Sequence, residues 1–328
     1  MGVLEGPGRG GAEPMSGRRP FMLRGRFWVG MLPWAWLLLF FLLPFALIVN
    51  VSLSTADLAI PPYVSPLHAT EDGHGVELVP DLSSFRRLAD ELGSIGEDGA
   101  DLLYLQAYGN SLLLATLTTL CCLLIGYPFA YHIARSRESV RNVLLMMVML
   151  PFWTSFLLRV YAWMGLLDSS EVGLINQLLL GLGIIDTPLP LLYNTGAVLT
   201  GMIYSYLPFM VLPLYANLVK LDQRLLEAAS DLGARPITTF LSVTLPLSRN
   251  GIIAGAMMVF IPAVGEFVIP DLLGGGDVQM IGRNIWDDFG PNQDWPMAAA
   301  VAVVMVLLLI APIVVFNRSS RREAEEQP

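Results

Sequence analysis

Of 328 residues, 54% are hydrophobic and only 14% charged. Apolar runs long enough to cross a bilayer recur along the chain, which excludes a soluble globular domain. The fold class is all-α integral membrane, because a lipid-exposed backbone must satisfy its own hydrogen bonds. The net charge is −9; the lipid bilayer is the expected surrounding and no nucleic-acid partner is expected.

Residues 1–26, rich in Gly, Pro and Arg, read as a basic, disordered tail. The first span, 27–49, follows this tail as the core of a secretory signal would, but its apolar run is too long for one. It reads as an uncleaved anchor. The loop 50–109 is too long for a mere connector. Within it, DLSSFRRLADEL (Asp81 to Leu92) combines a capping residue with apolar positions at helical spacing, Leu82, Phe85, Leu88, Ala89 and Leu92. A short helix on the outer face follows, which either docks an extracytoplasmic partner or covers the outer ends of the spans.

Residues 110–317 carry five more spans, at 110–134, 142–165, 194–218, 250–270 and 296–317, making six transmembrane helices, and a tail of 318–328 follows. Cys121 and Cys122 are adjacent inside the second span, with the spacing of neither a disulfide framework nor a metal site. They read as small packing residues.

Orientation follows from the basic residues. With the N-terminus in the cytoplasm, that side holds Arg9, Arg18, Arg19, Arg24, Arg26, Arg135, Arg137, Arg141, Lys220, Arg224, Arg235, Arg249, Arg318, Arg321 and Arg322. The other side holds Arg86, Arg87 and Arg283. This bias places both termini and the segment 221–247 in the cytoplasm. The outward loops are acidic, with Asp168, Glu171, Asp186, Asp271, Asp277, Asp287, Asp288 and Asp294 besides the acids of 50–109. Either the negative mouth concentrates cations, or the insertion rule merely leaves those loops without positive charge.

The segment Leu221 to Leu247, LDQRLLEAASDLGARPITTFLSVTLPL, is polar and helix-forming between two apolar runs. Asp222 is a good N-cap, Leu225, Ala228, Ala229 and Leu232 share one face, and Gly233 stands where a left-handed helix end wants glycine. Pro236 opens a second short helix and Pro246 interrupts the chain before the fifth span. Ala228 and Ala229 leave room for another surface, with Glu227 beside them; alternatively Glu227 pairs with Arg224 on an ordinary interfacial helix.

The run Glu227-Ala228-Ala229, then Gly233, then Val243 and Leu245-Pro246 resembles the EAA signature of permease subunits in bacterial ABC importers, usually written with Ile where this chain has Val243. The resemblance implies the type I importer permease fold with a cytoplasmic coupling helix. It implies that Glu227, Ala228, Ala229, Asp231, Gly233, Val243, Leu245 and Pro246 seat the chain in a groove of an ATP-hydrolysing subunit.

A phosphate-binding loop needs Gly-Lys before Ser or Thr, and the single lysine, Lys220, follows Val219. His68, His74 and His132 form no HExxH pair, and no GxSxG turn occurs. A non-hydrolytic subunit is expected, with no cofactor and no metal in this chain; ATP and Mg belong to the partner ATPase subunits that the resemblance implies.

Charges inside spans point to function. Arg159 lies in LPFWTSFLLRVYAWMGLL, and either snorkels or pairs with Asp168 or Glu266. Glu266 follows Gly265 between Pro262 and Pro270, where a broken helix frees backbone groups beside a pathway. A diamine is held by carboxylates at its ends and aromatic faces along it, so Glu266, Trp153, Tyr161, Trp163, Tyr204 and Tyr206 are the substrate-pathway candidates.

These stretches, with YLPFMVLPLY, LEAASDLGARPITTF and IPAVGEFVIPDLLGG, resemble the permeases of polyamine ABC importers, the putrescine type more than the spermidine type, across most of 100–317. The resemblance implies a second homologous permease, two ATP-binding subunits and an extracytoplasmic polyamine-binding protein that carries most of the specificity. The rivals are a permease for an anion, metal ion or peptide, and a self-sufficient secondary transporter or membrane enzyme.

Overall fold

The computed structural model describes residue 2 and residues 31–69, 76–95 and 102–325. The expected disordered tail, apart from Gly2, and the first four residues of the first span lie outside them. The chain divides into residues 1–48 and 49–328. The first unit holds most of helix α1, Met31–Ser52, with a mean hydropathy of 2.3. A π-turn at Leu38–Leu42 interrupts its ladder just before Pro44, which has no amide to contribute.

The loop 50–109 contains more than the helix expected of it. Strand β1, Thr55–Ala56, pairs antiparallel with β2, Tyr63–Val64, and β3, Leu67–Ala69, with β4, Val76–Leu78. Helix α2 then spans Ser83–Gly93. The Asp81 carboxylate accepts the Ser83 amide at 2.8 Å, as its capping chemistry predicts.

The buried face of α2 differs from expectation. Ser84 is buried and Phe85, Leu88 and Glu91 are half-buried, whereas Leu82, Ala89 and Leu92 face out. Charged side chains set this rotation. Glu91 accepts the amides of Tyr104 and Leu105, both at 3.1 Å, and Arg87 donates to Asp294 at 3.0 Å.

Three helices make the centre of the second unit: α3, Leu103–Arg135; α7, Thr195–Leu218; and α10, Arg249–Val264. One stripe of α3, Ser111, Ala115, Thr118, Cys122, Gly126, Ala130 and Ile133, is buried at helical spacing. The opposite stripe, Leu113, Leu117, Leu120 and Leu124, faces away from protein. Close approach comes from small residues, as membrane helices require. A β-carbon on Gly255 of α10 would stand 2.7 Å from the Met210 sulfur of α7. Cys122 is buried in this packing and both cysteines are free.

Several expected spans are redrawn. The second begins at Leu103 rather than 110, because Glu91 caps amides there. The third is not one helix: α4, Glu138–Met149, runs through a 3-10 turn, Leu150–Trp153, and the chain then bends by 89° into α5, Phe156–Leu167. Pro151 tightens the turn, the Thr154 hydroxyl donates to the Pro151 carbonyl at 2.8 Å, and Ser155 is extended. A short helix α6, Leu174–Gly181, leads to α7, whose N-cap Asn194 accepts the Ala197 amide at 2.9 Å.

Helix α8, Gln223–Asp231, is followed by α9, Pro236–Leu247, and a 65° bend separates α9 from α10. Pro246 does not break α9. A π-turn at Phe240–Thr244 accommodates it, and the interruption falls two residues later, at Ser248. The fifth expected span ends early, at Val264, and a π-turn occupies Pro270–Gly274.

Helix α11, Ile281–Phe289, packs on α12, Trp295–Glu325, which continues through most of the expected tail. Asp294 caps α12 through the Met297 amide at 3.1 Å. On α11, buried Asp288 accepts from the Tyr104 hydroxyl at 2.8 Å and from Asn292 at 3.0 Å. Among the described residues, three helices are long and apolar enough to cross a membrane, or five with each bent pair as one span, and α12 has a shorter apolar stretch, Trp295–Ile310.

Candidate functional site

Two places in this fold gather candidate residues. The first is the interruption after α10. Glu266 is 9% exposed, and its Oε1 accepts the amides of Phe267, Val268 and Ile269 at 3.2, 3.1 and 3.4 Å. Its Oε2 accepts from the Tyr206 hydroxyl on α7. The carboxylate therefore caps the helical turn that restarts after the break, and both of its oxygens accept hydrogen bonds.

The break is braced from α11. A β-carbon on Gly282 would collide with the Gly265 carbonyl and lie 2.8 Å from that of Glu266. Only glycine lets the two backbones touch here. Below the break, Arg283 bridges Asp271 at 3.3 Å and Asp287 at 3.8 Å and donates to the Gly275 carbonyl.

The other pathway candidates are dispersed. Tyr204 and Trp163 pack edge to face with centroids 5.5 Å apart, and Tyr204 lines an apolar groove with His132, Pro151 and Leu207. Trp153 and Tyr161 are exposed at 76% and 53%. Only Tyr206 joins Glu266.

Arg159 pairs with neither Asp168 nor Glu266 among the described residues. Its guanidinium carbon lies 5.3 Å from the Phe152 ring centroid and 5.6 Å from that of Phe156, and its Nε and Nη1 are buried without a hydrogen-bond acceptor. Sequence reading missed Phe152 and Phe209, whose rings meet edge to face at 5.1 Å beside this charge. Their nearness to a proline-marked turn and to Tyr206 was the available signal.

The second place is the polar segment 221–247. The Asp222 carboxylate accepts the Arg224 amide at 3.0 Å. The helix end is left-handed at Gly233, with φ +79°, so that the Gly233 and Ala234 amides reach the Ser230 and Ala229 carbonyls at 2.9 and 3.0 Å. Glu227, Ala228 and Asp231 are exposed and Ala229 half-buried. No ion pair joins Glu227 to Arg224 among the described residues.

Of the face read as apolar, Leu225, Ala228 and Leu232 are turned away from the chain's own core, with Leu225 48% and Leu232 89% exposed, whereas Ala229 is half-buried; Ile237 of α9 adds to the open surface at 74%. Behind that face, α9 is tied to α3. Phe240 packs edge to face on Tyr127 at 5.4 Å and on Tyr131 at 6.1 Å. The Tyr127 hydroxyl bonds the Ser248 hydroxyl at 2.8 Å. Val243 and Leu245 are half-buried on this inner side, whereas Pro246 is exposed.

Comparison with known proteins accounts for this combination of an apolar helical core, broken spans and an exposed polar helix pair. Residues 123–322 match the family of binding-protein-dependent transport system inner membrane components. The chain belongs to that family, and is thus the membrane-spanning component of an ABC transport system.

It is 38% identical over 286 residues to the spermidine/putrescine transport system permease protein PotB of Escherichia coli K12, covering 87% of this chain and 94% of the relative. It is 42% identical over 219 residues to the protein of the same name from Haemophilus influenzae, covering 67% of this chain and 76% of the relative. Among solved structures, the fold is shared with a chain of a bacterial alginate ABC transporter in complex with an alginate pentasaccharide-bound periplasmic protein. The TM-score is 0.64, the identity 18%, and 93% of this chain and 98% of that chain are covered.

Proposed function

We propose that this chain forms, with a second homologous permease, the membrane pathway of an ATP-driven polyamine importer. The observation that carries the reading is its 38% identity along 87% of its length to a spermidine/putrescine permease. The fold alone does not choose a substrate, because an alginate transporter shares it. Both polyamines stand in the relatives' names, and an extracytoplasmic binding protein that delivers the cation to the acidic outer face carries most, though not all, of the choice between putrescine and spermidine.

Six spans place both termini and the segment 221–247 in the cytoplasm, as the distribution of Lys and Arg supports. There Glu227, Ala228, Ala229, Asp231 and Gly233 seat α8 in a cleft on one of two ATP-binding subunits, which hold ATP and Mg. The bare face of Leu225, Leu232 and Ile237 supports this reading, since large apolar side chains left open to water call for a partner. Movement of α8 and α9 passes to α3 through Phe240 and the Tyr127–Ser248 hydroxyl pair, with Val243 and Leu245 on the inner side of that lever and Pro246 on its exposed side.

Inside the membrane, Glu266 receives one ammonium of the substrate in exchange for the Tyr206 hydroxyl. An ammonium brings charge where the phenol brings only a dipole, so the exchange is favourable once the cation has lost its water. Tyr204, Trp163, Trp153 and Tyr161 supply aromatic surface elsewhere along the route.

The test is uptake of labelled putrescine and spermidine into proteoliposomes that contain this chain, its partner permease and ATPase, with the binding protein outside and ATP inside. Uptake that needs every component is expected. A complex that assembles and hydrolyses ATP but moves neither polyamine would refute the substrate assignment.

A further inference from the structure

The two helix interruptions, at Thr154-Ser155 and at Gly265-Glu266, are joined by a row of aromatic rings. Phe152, on the last turn before the first interruption, meets Phe209 at 5.1 Å. Phe209 lies 6.2 Å from Tyr206 on the same helix, and the Tyr206 hydroxyl donates to Glu266 at the second interruption. At the far end stands Arg159, over Phe152 and Phe156, with Nε and Nη1 buried and unpartnered.

This arrangement already rests one half-buried cation on the row, with no ion pair to a carboxylate among the described residues. The negative faces of the rings are what hold it there. Phe209 is 36% exposed, so this chain's own side chains leave the middle of the row uncovered. In secondary transporters substrate and ion sites lie at discontinuous spans, and here Glu266 stands at such a break.

We propose that Phe152, Phe209 and Tyr206 form the surface along which the polyamine lies, one ammonium at Glu266, and that Arg159 is a positive stop at the far end that selects by ammonium number. This rests on the polyamine reading above. The methylenes of the substrate pack on the ring edges and its second ammonium takes the face of Phe209. A triamine must bring a third ammonium toward the Arg159 guanidinium, and like charges repel strongly where water is excluded. The row therefore favours the shorter, doubly charged amine.

The experiment is reconstituted uptake by the complete complex, reading KM for putrescine and for spermidine. Phe209→Leu raises both KM values about fivefold or more, and Phe209→Tyr restores them. Arg159→Gln lowers the KM for spermidine relative to putrescine about tenfold, whereas Arg159→Lys, which keeps the charge, holds the wild-type ratio. If Arg159→Gln does not assemble, Phe209→Cys treated with a cationic thiol reagent gives a second readout, and putrescine is expected to slow its labelling.

Wild-type KM values in Phe209→Leu, an unchanged ratio in Arg159→Gln, or labelling of Phe209→Cys that putrescine leaves untouched would overturn the inference while wild-type uptake still upheld the polyamine reading. A wild-type complex that takes up neither amine would overturn both, before any variant is compared.

Discussion

The Tyr206 hydroxyl donates to the Glu266 carboxylate across 60 residues of chain, joining the middle of α7 to the point where α10 stops. Three backbone amides converge on the same carboxylate. The bond thus lies between a rigid packed helix and the end of a broken one, where a small rearrangement of either changes what the carboxylate can hold.

Removing only the phenol hydroxyl should loosen this junction without erasing it. Tyr206→Phe takes away one charge-assisted bond and is expected to cost about 1.5–3 kcal/mol of stability. Thermal unfolding of the purified complex measures it. Glu266→Gln keeps the shape but loses the charge, and uptake should fall at least about tenfold, equivalent to ~1.4 kcal/mol. Equal transport by Glu266→Gln and wild type would remove Glu266 from the pathway.

Gly233 occupies left-handed backbone at φ +79°. Valine there should cost about 1–2 kcal/mol through clash of its β-carbon with the backbone and unwind the end of α8. Membrane insertion should be unchanged, whereas co-purification of the ATP-binding subunit should drop. Full retention of that subunit with normal uptake would argue against α8 as the docking helix.

A different effect is expected at Gly282, where any β-carbon meets the Gly265 and Glu266 carbonyls. Backbone cannot yield as a side-chain tip can, so Gly282→Ala should destabilise by about 1–3 kcal/mol, the range of overpacking. It should also shift the Glu266 turn. Protease sensitivity of the 265–282 region, compared with wild type, reports the change.

The ionisable groups outside the spans give opposite pH signatures. Burial, above all, raises the Asp288 carboxyl above its ordinary value, outweighing the bonds from Asn292 and Tyr104. Between its unfolded value of about 4 and that raised value the folded chain binds more protons, so this group's contribution to stability falls as pH rises through the window. Asp288→Asn should remove that loss. The Ser83 amide, as the largest influence, holds Asp81 below its ordinary value, so its contribution is present above the unfolded value and lost as pH falls through the lowered one. Asp81→Asn should flatten the acid limb of the melting-temperature profile, and an unaltered limb would exclude the cap as its cause.

How much of this could be read in advance depends on how local the chemistry is. Asp222 and Gly233 act within one helix, and their cap bonds form where the residue types predict them. Pro262, Gly265 and Pro270 likewise announce an interruption around Glu266, and α10 ends at Val264. The bend after Trp153 escapes such reading because hydropathy runs through it unbroken. What turns the chain is the side chain of Thr154 on the Pro151 carbonyl and two extended residues, Thr154 and Ser155.

The rotation of α2 escapes it for another reason. Its apolar pattern is outvoted by Glu91 and Arg87, whose partners lie in other helices. The proline-marked turn and Tyr206 draw the eye to Phe152 and Phe209 separately, but that the two rings meet depends on tertiary packing. Arg159 could be flagged as a charge in hydrocarbon, but not that its neighbours are rings instead of an acid.

The Glu91 carboxylate accepts amides that the first turn of α3 cannot satisfy internally. A spanning helix thus borrows its terminator from a separate surface helix. Trimming 50–109 to obtain a minimal permease would strip those acceptors and leave bare donors at the edge of the hydrocarbon. The loop is therefore a poor place to shorten the protein, and a graft of the helical core onto another scaffold should carry residues 83–93 with it.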